Sequence, residues 1–383
     1  MIVGNKGTPL LRGTKPIAYF GGRRYALRCK FNQGYTPTMG DEQMLVDEID
    51  NIWDIYLDST NWSNLFTGND DLLEVIRAYS PGVTNLSYMF DRCHNLVRVA
   101  LFDTSSVTNM QLMFRACTSL TTVPLFDTSS VKYMNSMFRG CTNLSAVPLF
   151  DTSSVTTMEG MFMECTSLTT VPLFNTSSVI DMYGMFSSCT SLTSVPLFDT
   201  SSVTNMWNMF LECTTLTTVP LFDTSSVTNM TGMFWRCNSL TSVPLFDTSS
   251  VTNMASMFYQ CTSLTTVPLF DTSSVTNMAS MFSECTSLIT VPLFNTSSVG
   301  SMGSMFKNCT SLTTVNLFNT SSVNIMAEMF YNCVAVQSGS RALYRQASSQ
   351  TVPPTTHYRA FYNCGINTTT GAAELAQIPS NWK

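Results

Sequence analysis

Charged residues are scarce in this sequence of 383 residues: they make up 11% of it, against 44% hydrophobic residues. A chain with this apolar content can form a large core, and its surface must then consist largely of Ser, Thr and Asn. The formal net charge of −6 excludes a broad basic face. We therefore expect no nucleic-acid partner.

Long apolar runs are also missing. The N-terminal stretch "MIVGNKGTPLLRGTKPIAYFGGRRYALRCK" contains no apolar segment of the length that a signal peptide needs. No later segment approaches the roughly 20 apolar residues of a membrane-spanning helix. The sequence thus predicts neither a secretion signal nor membrane insertion.

Residue sets for chemistry are equally sparse. There are two histidines, His94 and His357, and the thirteen cysteines are not paired at the close spacing of metal sites. The sequence has no glycine-rich phosphate loop and no nucleophile elbow. We therefore expect no enzyme, no metal and no cofactor.

What the sequence does contain is a strict period of 24 residues. Cysteine recurs at every 24th position from Cys93 to Cys333, and a fixed period of this length indicates a solenoid of stacked coils. Neighbouring coils lie about 4.8 Å apart, within reach of a disulfide. Because each cysteine shares its predicted face with Met and Phe, buried reduced thiols are the favoured interpretation.

Two hydrophobic patterns alternate within each unit. The stretch "LTTVPLF" reads as a short extended segment, in which the proline, as in Pro268, removes a backbone donor and so favours very short or irregular strands. The following stretch has the spacing of one helical face, at Val275, Met278, Met281, Phe282 and Cys285. The fold class predicted is an α/β solenoid of about 12 coils, with short parallel strands on one side and short helices on the other.

The motif "DTSS" places a column of aspartates along the array. The column runs from Asp103 to Asp271, with Asn175, Asn295 and Asn319 as substitutes. Calcium could relieve the repulsion between stacked carboxylates. Capping of a turn is the favoured role, because Asn caps a turn equally well without charge.

The unit "FDTSSVTNMxxMFxxCTSLTTVPL" resembles the repeat of BspA-like leucine-rich-repeat surface proteins, over about residues 56–335. The resemblance implies a leucine-rich-repeat solenoid in which Leu120, Val123, Leu125 and their equivalents point inwards. It also implies adhesion to host or partner cells. The end segments "KPIAYFGGRRYAL" and "ELAQIPSNWK" are similar to segments of phage tail proteins and of repeat proteins of gut phages and their hosts, which implies a phage-encoded member.

Three regions follow from this organisation: an N-terminal attachment region, 1–55, the solenoid, 56–335, and a C-terminal capping region, 336–383. Residues 1–40 hold seven cations and no acid, whereas residues 41–74 hold ten acids. The basic segment would pair either with the acidic segment of the same chain or with an acidic partner. The basic segment is the predicted contact with other virion proteins.

Two variable positions, four residues apart in the unit, carry most of the bulky side chains that depart from the repeat. They predict a contiguous partner-binding patch on the middle coils, because large exposed aromatics are typical of binding hot spots. The alternative is that these side chains cover the edges of their own coils. The candidate residues are Met163, Tyr183, Trp207, Leu211, Trp235 and Tyr259.

The leading functional hypothesis is a phage virion component, tail or fibre-like, whose solenoid binds a host-surface protein or glycan. A virion protein is made in the host cytoplasm and needs no signal peptide. One alternative is a bacterial cell-surface adhesin. The other is a purely structural virion protein in which the patch is a subunit contact, and a homo-oligomer is compatible with each reading.

Overall fold

A computed structural model describes residues 25–383, which form two compact units, one ending at Ser178 and one spanning Val179–Lys383. Most of "KPIAYFGGRRYAL" lies outside the described residues, as do five of the seven N-terminal cations, Lys6, Arg12, Lys15, Arg23 and Arg24. The fold prediction is confirmed: the protein is a leucine-rich-repeat solenoid of 24-residue coils.

The first unit opens with a five-stranded sheet in the order β2-β3-β1-β4-β5. Its strands are β1 (Tyr25–Phe31), β2 (Glu42–Asp47), β3 (Ile52–Leu57), β4 (Leu72–Tyr79) and β5 (Arg98–Val99). Strands β1 to β4 pair antiparallel, and β4 pairs parallel with β5. Because β4 and β5 are the extended segments of the first two coils, the N-terminal sheet continues directly into the solenoid.

The two described cations of the basic segment are paired within this sheet. Arg28 donates two hydrogen bonds of 2.7 Å to the buried carboxylate of Asp54, one from Nε and one from a terminal nitrogen. Lys30 donates to Asp50 at 3.0 Å. For these two residues, pairing with the acidic segment is what the structure shows.

Parallel bridges between equivalent residues mark the coils. In the first unit the bridged positions run from Asn61 to Thr157 in five coils, and in the second from Asp181 to Thr356 in eight. The core of each coil is built from buried Val, Met, Phe, Cys and Leu side chains. In the second unit, the phenylalanines at Phe210 and its equivalents stack on one another with ring centroids 5.1–5.7 Å apart.

The thirteen cysteines all lie among the described residues, where they are buried and form no disulfide. In successive coils the thiol donates to the carbonyl oxygen of the phenylalanine 27 residues earlier, as from Cys237 to Phe210 at 3.1 Å. Each of these repeat thiols therefore packs as a small apolar side chain that also donates to a backbone carbonyl.

The predicted short helix within each coil is wrong. In the segment from Met206 to Cys213, Met209 N–H bonds to Met206 O, three residues back, whereas Asn208 N–H bonds to Thr231 O in the next coil. Alternate backbone donors thus serve the turn and the neighbouring coil. This arrangement needs a left-handed residue every four positions, here Asn208 (φ 56) and Glu212 (φ 59), which is incompatible with an α-helix.

The extended side of the coil holds a second correction. Leu120 and Val123 are buried, as the resemblance implies, but Leu125 is 57% exposed. Phe126 N–H bonds to Pro124 O at 3.0 Å, so the chain makes a three-residue turn centred on Leu125. The turn breaks the alternation of a strand, directing Leu125 outwards and Phe126 into the core.

The second unit ends in a cap that contains the helices α1 (Ser340–Ser348) and α2 (Thr369–Ala376) and a short 3₁₀ helix (Ser380–Trp382). The indole of Trp382 stacks on the ring of His357, with centroids 4.2 Å apart. Phe361, in the last coil, stacks on Phe330 at 5.7 Å. No helix among residues 25–383 has the length and apolar character needed to cross a membrane.

Candidate functional site

The variable positions lie in the turn wall of each coil, each one residue before a left-handed residue. Trp207 precedes Asn208, and Leu211 precedes Glu212. The Asn205 carboxamide oxygen accepts the Trp207 N–H at 3.1 Å and so fixes the start of this turn. The backbone therefore holds the variable side chains at a regular spacing along the unit.

Four aromatic side chains of the second unit form two pairs. Tyr183 and Trp207 have ring centroids 5.1 Å apart and meet edge to face at 64°. Trp235 and Tyr259 have the same separation and are tilted by 57°. Trp207 is 42% exposed, whereas Tyr183, Trp235 and Tyr259 are half-buried. We call these four residues the aromatic pairs.

Trp235 lies over the backbone of its own coil. A Cβ atom built on Gly232 would lie 3.5 Å from Trp235 Cε3 and would collide with the Asn208 carboxamide oxygen. Glycine at position 232 adopts the left-handed conformation (φ 57) without strain. Because it lacks a Cβ, it also leaves space for the indole. Trp235 Nε1 and Asn208 Oδ1 are buried atoms with no hydrogen-bond partner among the described residues.

A row of polar side chains runs beside the aromatic pairs, at the left-handed position of successive coils. Arg236 donates to Glu212 at 2.7 Å and to Gln260 at 2.6 Å. Gln260 in turn donates to Glu284, and the Tyr259 hydroxyl donates to Glu284 at 3.1 Å. We call Glu212, Arg236, Gln260 and Glu284 the polar ladder.

The polar ladder changes the pKa of one residue of the aromatic pairs. Burial and the hydrogen bond to Glu284 raise the pKa of Tyr259 above its ordinary value, so this hydroxyl stays protonated as a donor. Next to the ladder lies an open polar groove of about 470 Å³, lined by Asn238, Gln260, Thr262, Glu284, Thr286 and Asn308. Carboxylate, amide and hydroxyl groups line this groove, and one of them, Glu284, accepts the hydrogen bond from Tyr259.

The structure brings together five of the six predicted site residues. Tyr183, Trp207, Leu211, Trp235 and Tyr259 belong to the second unit and occupy neighbouring coils, as two ring pairs with Leu211 in the intervening position. Met163 belongs to the first unit, where its side chain packs against Gly160. Exposure of Trp207 fits the predicted patch, and the half-buried Trp235 fits the alternative of covering a coil edge.

The aspartate column acts as a set of turn caps. The carboxylate of Asp247 accepts the backbone N–H of Ser249 at 3.0 Å and its hydroxyl at 2.7 Å. These bonds hold the pKa of Asp247 below its ordinary value. Asn295 accepts the same two bonds from Ser297. Within residues 25–383 no group of three or more His, Cys, Asp or Glu is placed to hold a metal ion.

Sequence reasoning missed the polar ladder. Its signal is present in the sequence: Glu212, Arg236, Gln260 and Glu284 stand 24 residues apart, with the cation Arg236 between two acidic positions. Each looks like an ordinary solvated side chain when considered alone. Only the stacking of the coils brings the four into one hydrogen-bonded row.

A family model described as "Mycoplasma protein of unknown function, DUF285" matches the chain in overlapping segments, 60–171, 84–196, 142–245, 169–266 and 238–342. The matched residues thus run through both units. No curated relative matches the chain.

Several solved structures are similar to this chain. A leucine-rich cell surface protein from Faecalibacterium prausnitzii is 21% identical, over 88% of this chain and 99% of that protein, with a TM-score of 0.47. A leucine-rich-repeat protein from Eubacterium ventriosum is 16% identical over 74% and 86%, with a TM-score of 0.41. The leucine-rich-repeat protein TpLRR of T. pallidum is 27% identical over 43% and 72%, with a TM-score of 0.33.

The resemblance to BspA-like leucine-rich-repeat surface proteins is confirmed by these findings, and a bacteriophage origin is not shown.

Proposed function

The chain belongs to the DUF285 family, and on that premise we propose that it is a non-enzymatic recognition protein of a bacterial cell surface. Its binding site is the aromatic pairs together with the polar ladder of the second unit. The cell-surface setting is the one printed for the similar protein from F. prausnitzii. Binding by shape and contact requires no chemical step.

The observation that carries the proposal is the exposed indole of Trp207, 42% accessible, held edge to face against Tyr183. A tryptophan on a rigid backbone offers a large contact area at small conformational cost. The Asn205 cap and the cross-coil bond from Asn208 to Thr231 hold this segment in place. The site is therefore preorganised for a ligand.

The chemistry of the face suits an uncharged polar ligand with apolar patches. Aromatic rings stack on the apolar face of a sugar or on aliphatic protein side chains. The carboxylates of Glu212 and Glu284 accept hydrogen bonds from hydroxyl or amide groups, and the Arg236 guanidinium donates them. A glycan or a polar protein surface of a partner cell fits this combination.

Binding of the labelled chain to intact partner cells tests the proposal. Trp207→Ala should weaken binding about 10-fold or more, as for a hot-spot tryptophan. Val352→Ala, which changes an exposed apolar residue of the cap (68% accessible), is the matched control and should bind normally. Equal binding by the two variants would contradict the proposed site.

Treatment of the target cells separates the two ligand classes. Periodate oxidation destroys vicinal diols of glycans, and protease digestion removes surface proteins. Loss of Trp207-dependent binding after one treatment and not the other identifies the class. Binding that survives both treatments would mean that neither class is the ligand.

A virion role is the second candidate, and it depended on the two end segments. "ELAQIPSNWK" now has a local explanation: it ends α2 and carries Trp382, which covers His357 and Phe361. The cell-surface reading is therefore the one we propose. Immunogold labelling of intact bacteria should detect the protein, and its presence in purified phage particles instead would reverse the order of the two candidates.

A further inference from the structure

A row of exposed leucines runs along the second unit, separate in the coil from the aromatic pairs. Each member is 56–59% accessible, although leucine is normally a core residue. We call the row the leucine stripe, and it consists of Leu197, Leu221, Leu245, Leu269, Leu293 and Leu317.

The backbone fixes these leucines outwards. In the four coils from Leu197 to Leu269 the proline carbonyl accepts the N–H of the phenylalanine two residues later, as from Phe246 to Pro244 at 3.0 Å, and in the last coil the Asn316 carbonyl accepts the same bond from Phe318 at 3.0 Å. The leucine at the centre of this turn cannot enter the core, because the next residue, phenylalanine, already fills it with about 2% exposure. The outward direction of the stripe is thus set by the backbone turn of these coils.

The stripe is a continuous row, and the border formed by the residues before each leucine carries no charge. With coils spaced by about 4.8 Å, six leucines form a row roughly 25 Å long. In four of the six coils the residues before the leucine are Thr or Ser, Val and Pro, as in Thr241, Ser242, Val243 and Pro244, of which the first two are exposed. The other two coils differ by Ile289 and Asn316, which are also uncharged. Aspartate follows two residues after each leucine in most of these coils, as Asp247 follows Leu245. A contiguous apolar row of this length is typical of an interaction surface.

We propose that the leucine stripe is the contact between two copies of this chain, packed stripe against stripe about a two-fold axis. A row that repeats at the coil spacing is matched side chain for side chain by a surface with the same period, and a second copy supplies it. An isologous contact of this kind closes at the dimer.

The available area supports a dimer. A leucine side chain presents on the order of 100 Å² of apolar surface, so six leucines that are somewhat over half exposed contribute roughly 350 Å². A standard interface buries about 800 Å² per partner. The leucines therefore supply nearly half of it, and the exposed Thr and half-buried Pro side chains along the uncharged border are placed to supply the remainder.

The charged residues beside the stripe determine how two copies can be oriented in the dimer and how its affinity depends on salt. The aspartates that follow the stripe are exposed carboxylates whose pKa is below its ordinary value, as for Asp223 and Asp247, so they are ionised at neutral pH. Two copies must pack on the Thr and Pro side and keep the two aspartate columns apart. Screening of the remaining repulsion should make the dimer tighter at high salt.

Sedimentation velocity of the full chain across a concentration series tests the proposal. We expect a reversible dimer that tightens with added salt. The double variant Leu245→Ser/Leu269→Ser removes four leucines from each dimer and should weaken dimerisation about 100-fold or more. Because both leucines are exposed, its melting temperature, measured under conditions where both proteins are monomeric, should lie within about 2 °C of the native value.

Trp207→Ser is the matched control, since it also replaces an exposed apolar side chain of the same unit but lies outside the stripe. It should dimerise normally while losing partner-cell binding, so the dimer and the recognition site can fail separately. A native chain that is monomeric throughout, or a leucine variant that still dimerises, would overturn the proposal. A monomer that co-floats with phosphatidylcholine vesicles in a leucine-dependent way would assign the stripe to a lipid surface and overturn it equally.

Discussion

Trp235 and Tyr259 stand in adjacent coils with their ring centroids 5.1 Å apart, and only one of the two polar groups is paired. The Tyr259 hydroxyl donates to Glu284, whereas the Trp235 indole N–H has no acceptor among the described residues. Trp235 therefore acts through its ring surface, as packing for the coil edge and for Tyr259.

This packing role predicts that replacing Trp235 lowers the stability of the protein more than replacing Trp207. Trp235→Ala should lower the free energy of unfolding by about 2 kcal/mol, because it removes a half-buried ring and its aromatic partner contact. Trp207→Ala, at a more exposed position, should cost about 1 kcal/mol or less. Urea titration of both variants measures the difference, and equal losses would contradict the assignment of Trp235 to packing.

The buried thiols should be chemically silent in the folded protein. Burial raises the pKa of Cys93, Cys141 and Cys285 to about 12, and the thiolate is the reactive form. At neutral pH Ellman's reagent should label less than one thiol per native chain, and all thirteen after unfolding in guanidinium. Rapid labelling of several thiols without denaturant would show that the coils open locally.

The aspartate caps predict a sensitivity to acid. Hydrogen bonds from Ser225, Ser249 and Ser273 lower the folded-state pKa of Asp223, Asp247 and Asp271. Their contribution to stability is therefore complete above the unfolded-state pKa of about 3.9 and is lost as the pH falls through the lower folded-state value.

Replacement of these three aspartates by asparagine should flatten the acid limb of the melting temperature between about pH 2 and 5. Stability at neutral pH should change little, because Asn295 makes the same two bonds to Ser297. An unchanged acid limb would mean that other carboxylates control acid unfolding.

The left-handed residues of the turn wall predict opposite effects of two substitutions at one site. Ser256 has a φ of 54°. Ser256→Gly should raise the free energy of unfolding or leave it unchanged, because glycine adopts this conformation without strain. Ser256→Val should lower it by about 1–2 kcal/mol. Calorimetry of the pair checks the prediction, and equal stability of both variants would contradict the backbone geometry.

The period, the buried set and the solenoid could be predicted from the sequence, because stacking requires the same apolar side chains in every coil. The helix could not be distinguished from the turn wall, since both place every third or fourth residue in the core. A usable signal was the recurrence of Gly160, Gly184, Asn208 and Gly232 at one position of successive coils, residue types that tolerate left-handed backbone.

The sequence could show which positions of the coil carry bulky side chains, but not how those side chains are arranged. The bulky departures from the repeat pointed to Trp207 and Trp235, yet the division into ring pairs depends on how each side chain lies across its coil. Likewise, the outward direction of Leu245 depends on a turn at Pro244 that an alternating strand pattern does not contain. Side-chain direction and turn geometry were the missing information.

The cross-coil bonds of the turn wall have a consequence for inheritance. Each joins a donor to an acceptor 23 residues further along, as from Asn208 to Thr231 and from Phe210 to Met233. A genetic duplication or deletion of 24 codons therefore leaves every remaining donor opposite an equivalent acceptor. Recombination between nearly identical coding segments can therefore lengthen or shorten the array one coil at a time. We expect related genes to encode different numbers of coils while keeping the sequence pattern of each coil.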